Sequence, residues 1–426
     1  MIVTFLFVVV NRVGCYVVLP GINPNELDAL RQFTDSGLMQ LLDMFSGGAF
    51  SQASIFALGI IPYITASIVI QLLGMFLPSF RKLQQEGESG HMKINQYTRY
   101  LTVAILLLQA PAYLVNLQVQ VNSAGGNAHF GFWTMAYMTI ILAAGSMFIM
   151  WLGERITDKG VGNGISFIIL VGIIARLPGA LVQEFSNRLT PAQGGLVMFV
   201  VEIVLLFAVI LGAVLLVQGT RKVPVQYAKR IVGNKQYGGA RQFIPLKVNA
   251  AGVMPIIFAQ AIMFIPITLA GFGASGEGSS FVRALTDMTG FWYNAIYFVM
   301  IVAFTYFYTA ITVRPNDMAD NMKRNNGFIP GVKPGTKTAE YLDSILSRIT
   351  LPGSIFLGIV AIMPSFASIC GVSREFAQFF GGTSLLIMVG VVLDTLSQIE
   401  SHLMINHYDG MMKSGKLKGR TTGSAY

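Results

Sequence analysis

Residues 43–77 read D-M-F-S-G-G-A-F-S-Q-A-S-I-F-A-L-G-I-I-P-Y-I-T-A-S-I-V-I-Q-L-L-G-M-F-L, and they constrain the chain more than any other stretch. A long apolar helix is expected from about Ser51 to Leu77, preceded by a shorter piece, Met39–Phe50, that carries Gly47-Gly48. The short piece cannot cross a bilayer, which takes roughly 20 apolar residues. It is also too apolar for a surface loop. Backbone at membrane depth that does not span is tolerated only inside protein or along a water-filled cavity. The expectation is therefore a re-entrant half-helix that turns back at a glycine hinge, inside a membrane protein that encloses a path.

Composition agrees. Apolar residues make up 54% of the 426, and charged residues only 12%, about half of what a soluble domain carries. Two cysteines, Cys15 and Cys370, give neither a disulfide framework nor a metal pattern. The apolar run at 2–20 has no basic lead and no small-residue cleavage site, so it reads as a retained span rather than a signal peptide.

Ten segments of spanning length follow, at about 2–20, 52–77, 98–118, 132–152, 163–182, 194–217, 248–270, 292–312, 346–366 and 378–399. Lys and Arg concentrate in alternate connections, 78–97, 153–162, 218–247, 313–345 and 400–426. The positive-inside rule puts these, and both termini, in the cytoplasm. The net charge of +9 is then mostly topology and does not call for a nucleic-acid site. Ten spans divide into five plus five. An odd number per half forces the halves into opposite orientations, the inverted-repeat arrangement of many transporters and channels. The expected fold is an all-α integral membrane protein of two inverted halves, 1–185 and 186–426, hinged at 183–193.

A series of short motifs runs along the chain: M-F-S-G-G-A at 44–49, A-L-G-I-I-P-Y-I-T-A-S at 57–67, E-G-E-S-G at 86–90 with Q-Y-T-R-Y at 96–100, and W-L-G-E at 151–154 with G-V-G-N-G-I-S at 160–166. Q-Y-A-K-R at 226–230, P-L-K-V-N-A-A-G-V-M-P at 245–255, F-I-P-G-V-K-P-G at 328–335 and F-G-G-T-S-L-L-I at 380–387 complete the set. In this order and spacing they resemble the bacterial SecY family of protein-translocation channels, and the resemblance covers essentially the whole chain. It implies a channel that moves unfolded secretory polypeptides across the bacterial inner membrane and releases membrane helices sideways through a lateral gate.

On that resemblance Phe45, Ser46, Gly47 and Gly48 fall in the plug. Ile60 and Ile64, four apart on one helix face, join Ile169, Val253 or Ile257, and Ile387 in a central ring. Stiff apolar side chains around a narrow pore dewet it and block ions. Thr65, Gln71 and Asn249 are polar groups in apolar helices at the lateral gate, where cross-helix hydrogen bonds are expected. Arg221, Lys222, Lys229, Arg230 and Lys333 would dock the SecA motor ATPase or the ribosome. Small subunits of the SecE and SecG type, signal sequences, nascent chains and membrane lipids are the other implied partners. Three departures stand out: little or no cytoplasmic lead before residue 2, Lys333 where the family carries arginine, and Glu202 within a span. Arg12 and Asp394 read as structural or near-interface groups.

Other chemistries find little support. Gly410–Leu417 nearly spells a phosphate-binding loop but lacks its final Ser or Thr and follows a membrane helix rather than a strand. Gly160, Gly162 and Gly164 have no βαβ unit around them, and His91, His129, His402 and His407 are scattered. No catalytic residue, cofactor or metal is expected. A secondary transporter for a small solute is the main rival, but it should place paired charges at the midplane, where this chain places isoleucine.

Overall fold

The computed structural model describes residues 2–22, 43, 46–123, 131–160, 162–189, 195–227, 230–232, 235–237, 241–260, 263 and 290–413. Helices dominate. The first group is α1 (Ile2–Gly14), α2 (Ile61–Phe76), α3 (Pro78–Gln85), α4 (Glu88–Ser123), α5 (Phe132–Lys159) and α6 (Gly164–Leu189). The second is α7 (Gly195–Gln218), α8 (Phe291–Thr312), α9 (Pro315–Arg324), α10 (Thr336–Ile369), α11 (Arg374–Ala377) and α12 (Gly382–Lys413). Residues 254–260 are helical within the span expected at 248–270, the rest of which lies largely outside the described residues. Among the described residues seven helices are long and apolar enough to cross a membrane. α7 shows why: its 24 residues carry a single charged side chain, Glu202, and Val197, Val204, Phe207, Leu211 and Leu215 stand exposed along it. Such a surface is stable against acyl chains and not against water. Phe132-Trp133 and Phe291-Trp292 open α5 and α8 as exposed aromatic pairs, as at a membrane–water interface.

Two expected spans are corrected. The helix at 2–20 stops at Gly14 after 13 residues, about 20 Å of rise. The chain then continues in turns, and Leu19 N–H donates to Ala53 O while Ile55 N–H donates to Val17 O. The helix expected from Ser51 begins only at Ile61, with Pro62 in its first turn. Proline suits a first turn but would clash with the carbonyl of residue 58 and leave it without a donor in a helix interior. Residues 46–60 are turns instead. Of the expected half-helix Met39–Phe50, Asp43 is helical and 46–50 are turns, while residues 39–42, 44 and 45 lie outside the described residues.

The connections 218–247 and 313–345 are partly strands. β1 (Thr220–Tyr227) pairs antiparallel with β4 (Arg241–Lys247), in a register running from Thr220 opposite Lys247 to Gln226 opposite Arg241. β1 also pairs with β5 (Gly327–Phe328) through Gln226 and Tyr227. β2 (Arg230–Val232) and β3 (Lys235–Tyr237) make a separate hairpin. Val223, Val225 and Leu246 bury one face of the sheet against Met322, Ile329, Leu342 and Leu346, so the two connections share one core.

Near the end of α6, Arg188 is buried between two carboxylates. Its Nε donates to Glu184 Oε1 at 3.0 Å, and one Nη donates to Glu202 Oε1 at 2.5 Å and to Gly371 O at 2.9 Å. Glu184 Oε2 accepts from Ser373 N–H at 2.9 Å. The cluster joins α6, α7 and the turn after α10, and it supplies the missing reason for Glu202. Removing one partner of a buried ionic group costs about 3–5 kcal/mol because the charge left behind stays uncompensated. Arg188→Met is expected to lower stability by that amount, with Glu202→Gln costing less because the amide oxygen still accepts. Thermal unfolding in detergent measures both.

Candidate functional site: an isoleucine seam and its buried turns

Where the two helix groups meet, the core is rich in isoleucine. Ile60, at the start of α2, is 2% exposed, and Ile169 on α6 is 6% exposed. Both belong to one cluster with Ile149, Ile156, Ile168, Ile173, Phe376, Phe379 and Phe380, and half-buried Ile64 and Ile387 pack against it. Ile64 N–H donates to Ile60 O, which stacks the two side chains one turn apart. Four expected ring residues thus share one cluster. Val253 packs instead against a neighbouring core that contains Leu385 and Leu386. Ile257 is half-buried on the 254–260 helix, outside both.

The turns 46–60 lie against this cluster, and all but Gln52 and Ile55 are buried. Irregular backbone at such depth must satisfy its own polar groups, and it does so densely. Asp43 Oδ1 accepts from Ser51 N–H at 2.7 Å, and Asp43 O accepts from Gly48 N–H at 2.9 Å and Ser46 Oγ at 3.0 Å. Ser46 Oγ in turn accepts from Phe50 N–H. Tyr113 on α4 donates to Phe50 O at 2.9 Å, and its ring packs tilted against that of Phe50 with centroids 4.8 Å apart. Arg12 on α1 donates to Gly47 O at 2.6 Å, and Arg176 on α6 pairs with the Asp43 carboxylate. A small cavity lined by Asn11, Arg12, Cys15, Ser46, Ile60 and Gly172 lies between these turns, α1 and α6.

Close approach is built in from both sides. A Cβ on Gly145 of α5 would lie 2.3 Å from Ile55 O, and one on Gly47 would lie 2.9 Å from both Gly172 Cα and an Arg12 Nη. Gly47 also has φ +68°, where side chains are strained.

The expected gate residues do not make cross-helix hydrogen bonds among the described residues. Thr65 Oγ1 donates to Ile61 O of its own helix at 3.0 Å. Gln71 is exposed, and the buried Oδ1 of Asn249 has no partner. A threonine hydroxyl on a helix finds the carbonyl one turn back before it finds a neighbour. Asp394 is exposed and accepts from Gln398. Of the basic residues, Arg221, Lys222 and Lys333 are exposed on the sheet and its neighbouring turn. Arg230 lies on β2, and Lys229 falls outside the described residues, as does Phe45. The residues that sequence reasoning passed over are Asp43, Arg176, Tyr113 and Arg188. A charge within an apolar stretch was the available signal for three of them.

These features define a polytopic helical membrane protein with an apolar seam between two helix groups and an irregular, fully tied segment seated at that seam. The family model for SecY matches residues 54–396. The chain is 42% identical over 96% of both chains to the protein translocase subunit SecY of Mycobacterium tuberculosis H37Rv. It is also 42% identical to that of Pseudomonas aeruginosa PAO1, over 98% of this chain and 94% of the relative. Its fold is similar to a solved protein-conducting channel, with TM-score 0.61 at 18% identity over 94% of this chain and 91% of the other. Sec61 from a canine ribosome–channel complex gives TM-score 0.57 at 17% identity with the same coverage. A third structure, a SecY protein whose plug domain is described as stabilizing the closed state, gives TM-score 0.62 at 18% identity, over 94% and 91%.

The chain therefore belongs to the SecY family. It is a protein-conducting channel subunit rather than an enzyme. Within that frame Gly47→Ala should unseat the buried turns, since the added methyl meets backbone that cannot yield. The expected outcome is a folded protein whose 46–60 segment is cut by protease at least several-fold faster than in wild type.

Proposed function

We propose that the chain passes unfolded secretory polypeptides across the bacterial inner membrane, and transmembrane segments sideways into it, with Ile60, Ile64, Ile169 and Ile387 as the resting seal. The carrying observation is the single apolar cluster that gathers these four side chains from both helix groups. An apolar constriction dewets and so blocks ions. It makes no sequence-specific contact, so it can fit around any extended chain. Val253 and Ile257 complete the ring from the 254–260 helix when the two groups move. The segment around 45–48 is the plug, seated under the ring. The halves 1–185 and 186–426 part on the side where Thr65 and Asn249 face, opening the lateral gate. Gln71, being exposed, would meet lipid or an incoming signal helix there.

With no nucleotide-binding site read in the sequence, driving force has to come from outside. The shared sheet core of the two basic connections, with Arg221, Lys222 and Lys333 exposed upon it, suits a docking platform for the SecA motor or the ribosome. Ribosome binding is supported by the canine complex named above. Small subunits of the SecE and SecG type would cover part of the exposed apolar surface. Both termini are cytoplasmic in this reading.

The seal is tested by Ile64→Gly combined with Ile387→Gly. A wider, wettable constriction should raise the planar-bilayer conductance of resting channels well above wild type, and a wild-type background would remove the ring assignment. The platform is tested at Lys333. Lys333→Glu should weaken ATP-dependent uptake of a secretory precursor into vesicles far more than it weakens ribosome-delivered insertion, because charge attracts the partner. Lys333→Arg should be neutral or better, since the guanidinium adds a bidentate fork. Equal uptake by all three proteins would take Lys333 out of the docking site.

A further inference from the structure

Two guanidinium groups hold the buried turns, and they differ from the other buried arginine of this chain. Arg188 is 6% exposed and its carboxylate partners 1–3%, a pair sealed on both sides. Asp43 is as deeply buried, at 1%, but its partner Arg176 is 29% exposed. One end of that ion pair is dry and the other is partly exposed. A charge buried this deeply is costly unless it is paired and hydrogen-bonded. Asp43 also organises the turn from within, accepting from Ser51 N–H, Gly48 N–H and Ser46 Oγ. Its backbone carbonyl takes the bonds from Gly48 and Ser46, while its carboxylate joins Ser51 N–H to Arg176, so this one residue links the internal order of the turn to its attachment.

The attachment points lie on one side of the molecule. Gly172 and Arg176 are one helical turn apart on α6, so the same face that admits the Gly47 backbone also presents the cation to Asp43. Arg12 reaches Gly47 O from α1, and Tyr113 reaches Phe50 O from α4. Among the described residues, the polar partners of 43–55 outside the segment itself lie in residues 2–185. Among the described residues its link to the second half is apolar: Ala49 and Phe56 belong to the same cluster as Phe376 and Phe380.

We propose that Arg176 and Arg12 are positioning residues that latch the plug to the first half of the channel, and that separation of the Asp43–Arg176 pair is the step that frees it. Parting of the halves breaks only apolar contacts to the plug. The plug thus rides with α1 and α6 until the ion pair opens. The seat is a two-point grip: Arg12 fixes the glycine hinge by its carbonyl, and Arg176 fixes the body of the turn by its charge.

This inference rests on the reading of residues 45–48 as a plug, and the experiment separates the two. Resting conductance in planar bilayers is compared for wild type, Arg176→Gln, Arg176→Lys, Asp43→Asn, the Asp43→Asn/Arg176→Gln double variant and a deletion of 45–48. Arg176→Gln is expected to raise conductance at least about tenfold, Asp43→Asn to a similar level, and the double variant no further, as for two members of one interaction. Arg176→Lys, which keeps the charge, should return conductance close to wild type. A leaky deletion with a tight Arg176→Gln overturns the latch and leaves the plug standing. If deletion and point variants are all tight, the plug reading falls and takes the latch with it. Equal leakage from Arg176→Gln and Arg176→Lys means packing rather than charge holds the segment, which also overturns the proposal. Asp43→Asn preserves the shape of the side chain and its acceptor for Ser51 N–H. It carries the test should Arg176→Gln fail to fold by gel filtration.

Discussion

Every backbone N–H and C=O placed at membrane depth needs a partner from the protein, because lipid offers none. Helices meet this requirement within themselves, and most of the chain takes that course. The exception is 46–60, where Gly47, Gly48, Ala53 and Gly59 all have positive φ and no helix can form. The rest of the first half is arranged around satisfying this stretch. α1 ends early so that residues 17–19 can bond to 53–55. Gly145 lets α5 come against Ile55 O, and Tyr113 turns its hydroxyl inward to Phe50 O. Irregular backbone is therefore costly here, and three neighbouring helices supply the groups that offset the cost.

The two buried ionic groups divide stability from movement. The Arg188 cluster ties three elements of both halves together with both ends dry. Such a group is separated only at great cost, so it suits a fixed pivot. The Asp43–Arg176 pair joins a segment to one helix and keeps one end wet, so water can take over the solvation of the guanidinium as it leaves. Similar chemistry stands in two settings, one pair sealed at both ends and one open at the guanidinium, and the difference is burial.

Much of this was legible in the residues. Continuous apolar runs named α4 to α8, α10 and α12, because a span of lipid demands length and hydropathy that nothing else in the chain imitates. Motif order suggested six ring positions, Val253 among them, and four of the six share one cluster. What was not legible has local causes. Pro62 forbids a helix running back to Ser51, yet hydropathy alone reads straight through it. Strands β1 and β4 hide in a basic connection because their alternation is short and interrupted by Pro224 and Pro245. Thr65 and Asn249 suggested bonds between helices, but a hydroxyl's nearest acceptor is its own helix. Asp43, Arg176 and Glu202 could be seen as charges in apolar surroundings. Their pairing could not, since it depends on how turns and helices far apart in sequence come together.

α10 has a mechanical consequence. Its first residue follows directly on the Lys333 turn, whose carbonyl accepts from Thr338 Oγ1, and Leu342 and Leu346 root it in the sheet core. It runs 34 residues, about 50 Å, as one helix. It ends at the turn where Gly371 O and Ser373 N–H grip Arg188 and Glu184. One element therefore joins the basic sheet to the isoleucine seam, because Ala367 near its far end packs in the same cluster as Ile60 and Ile169.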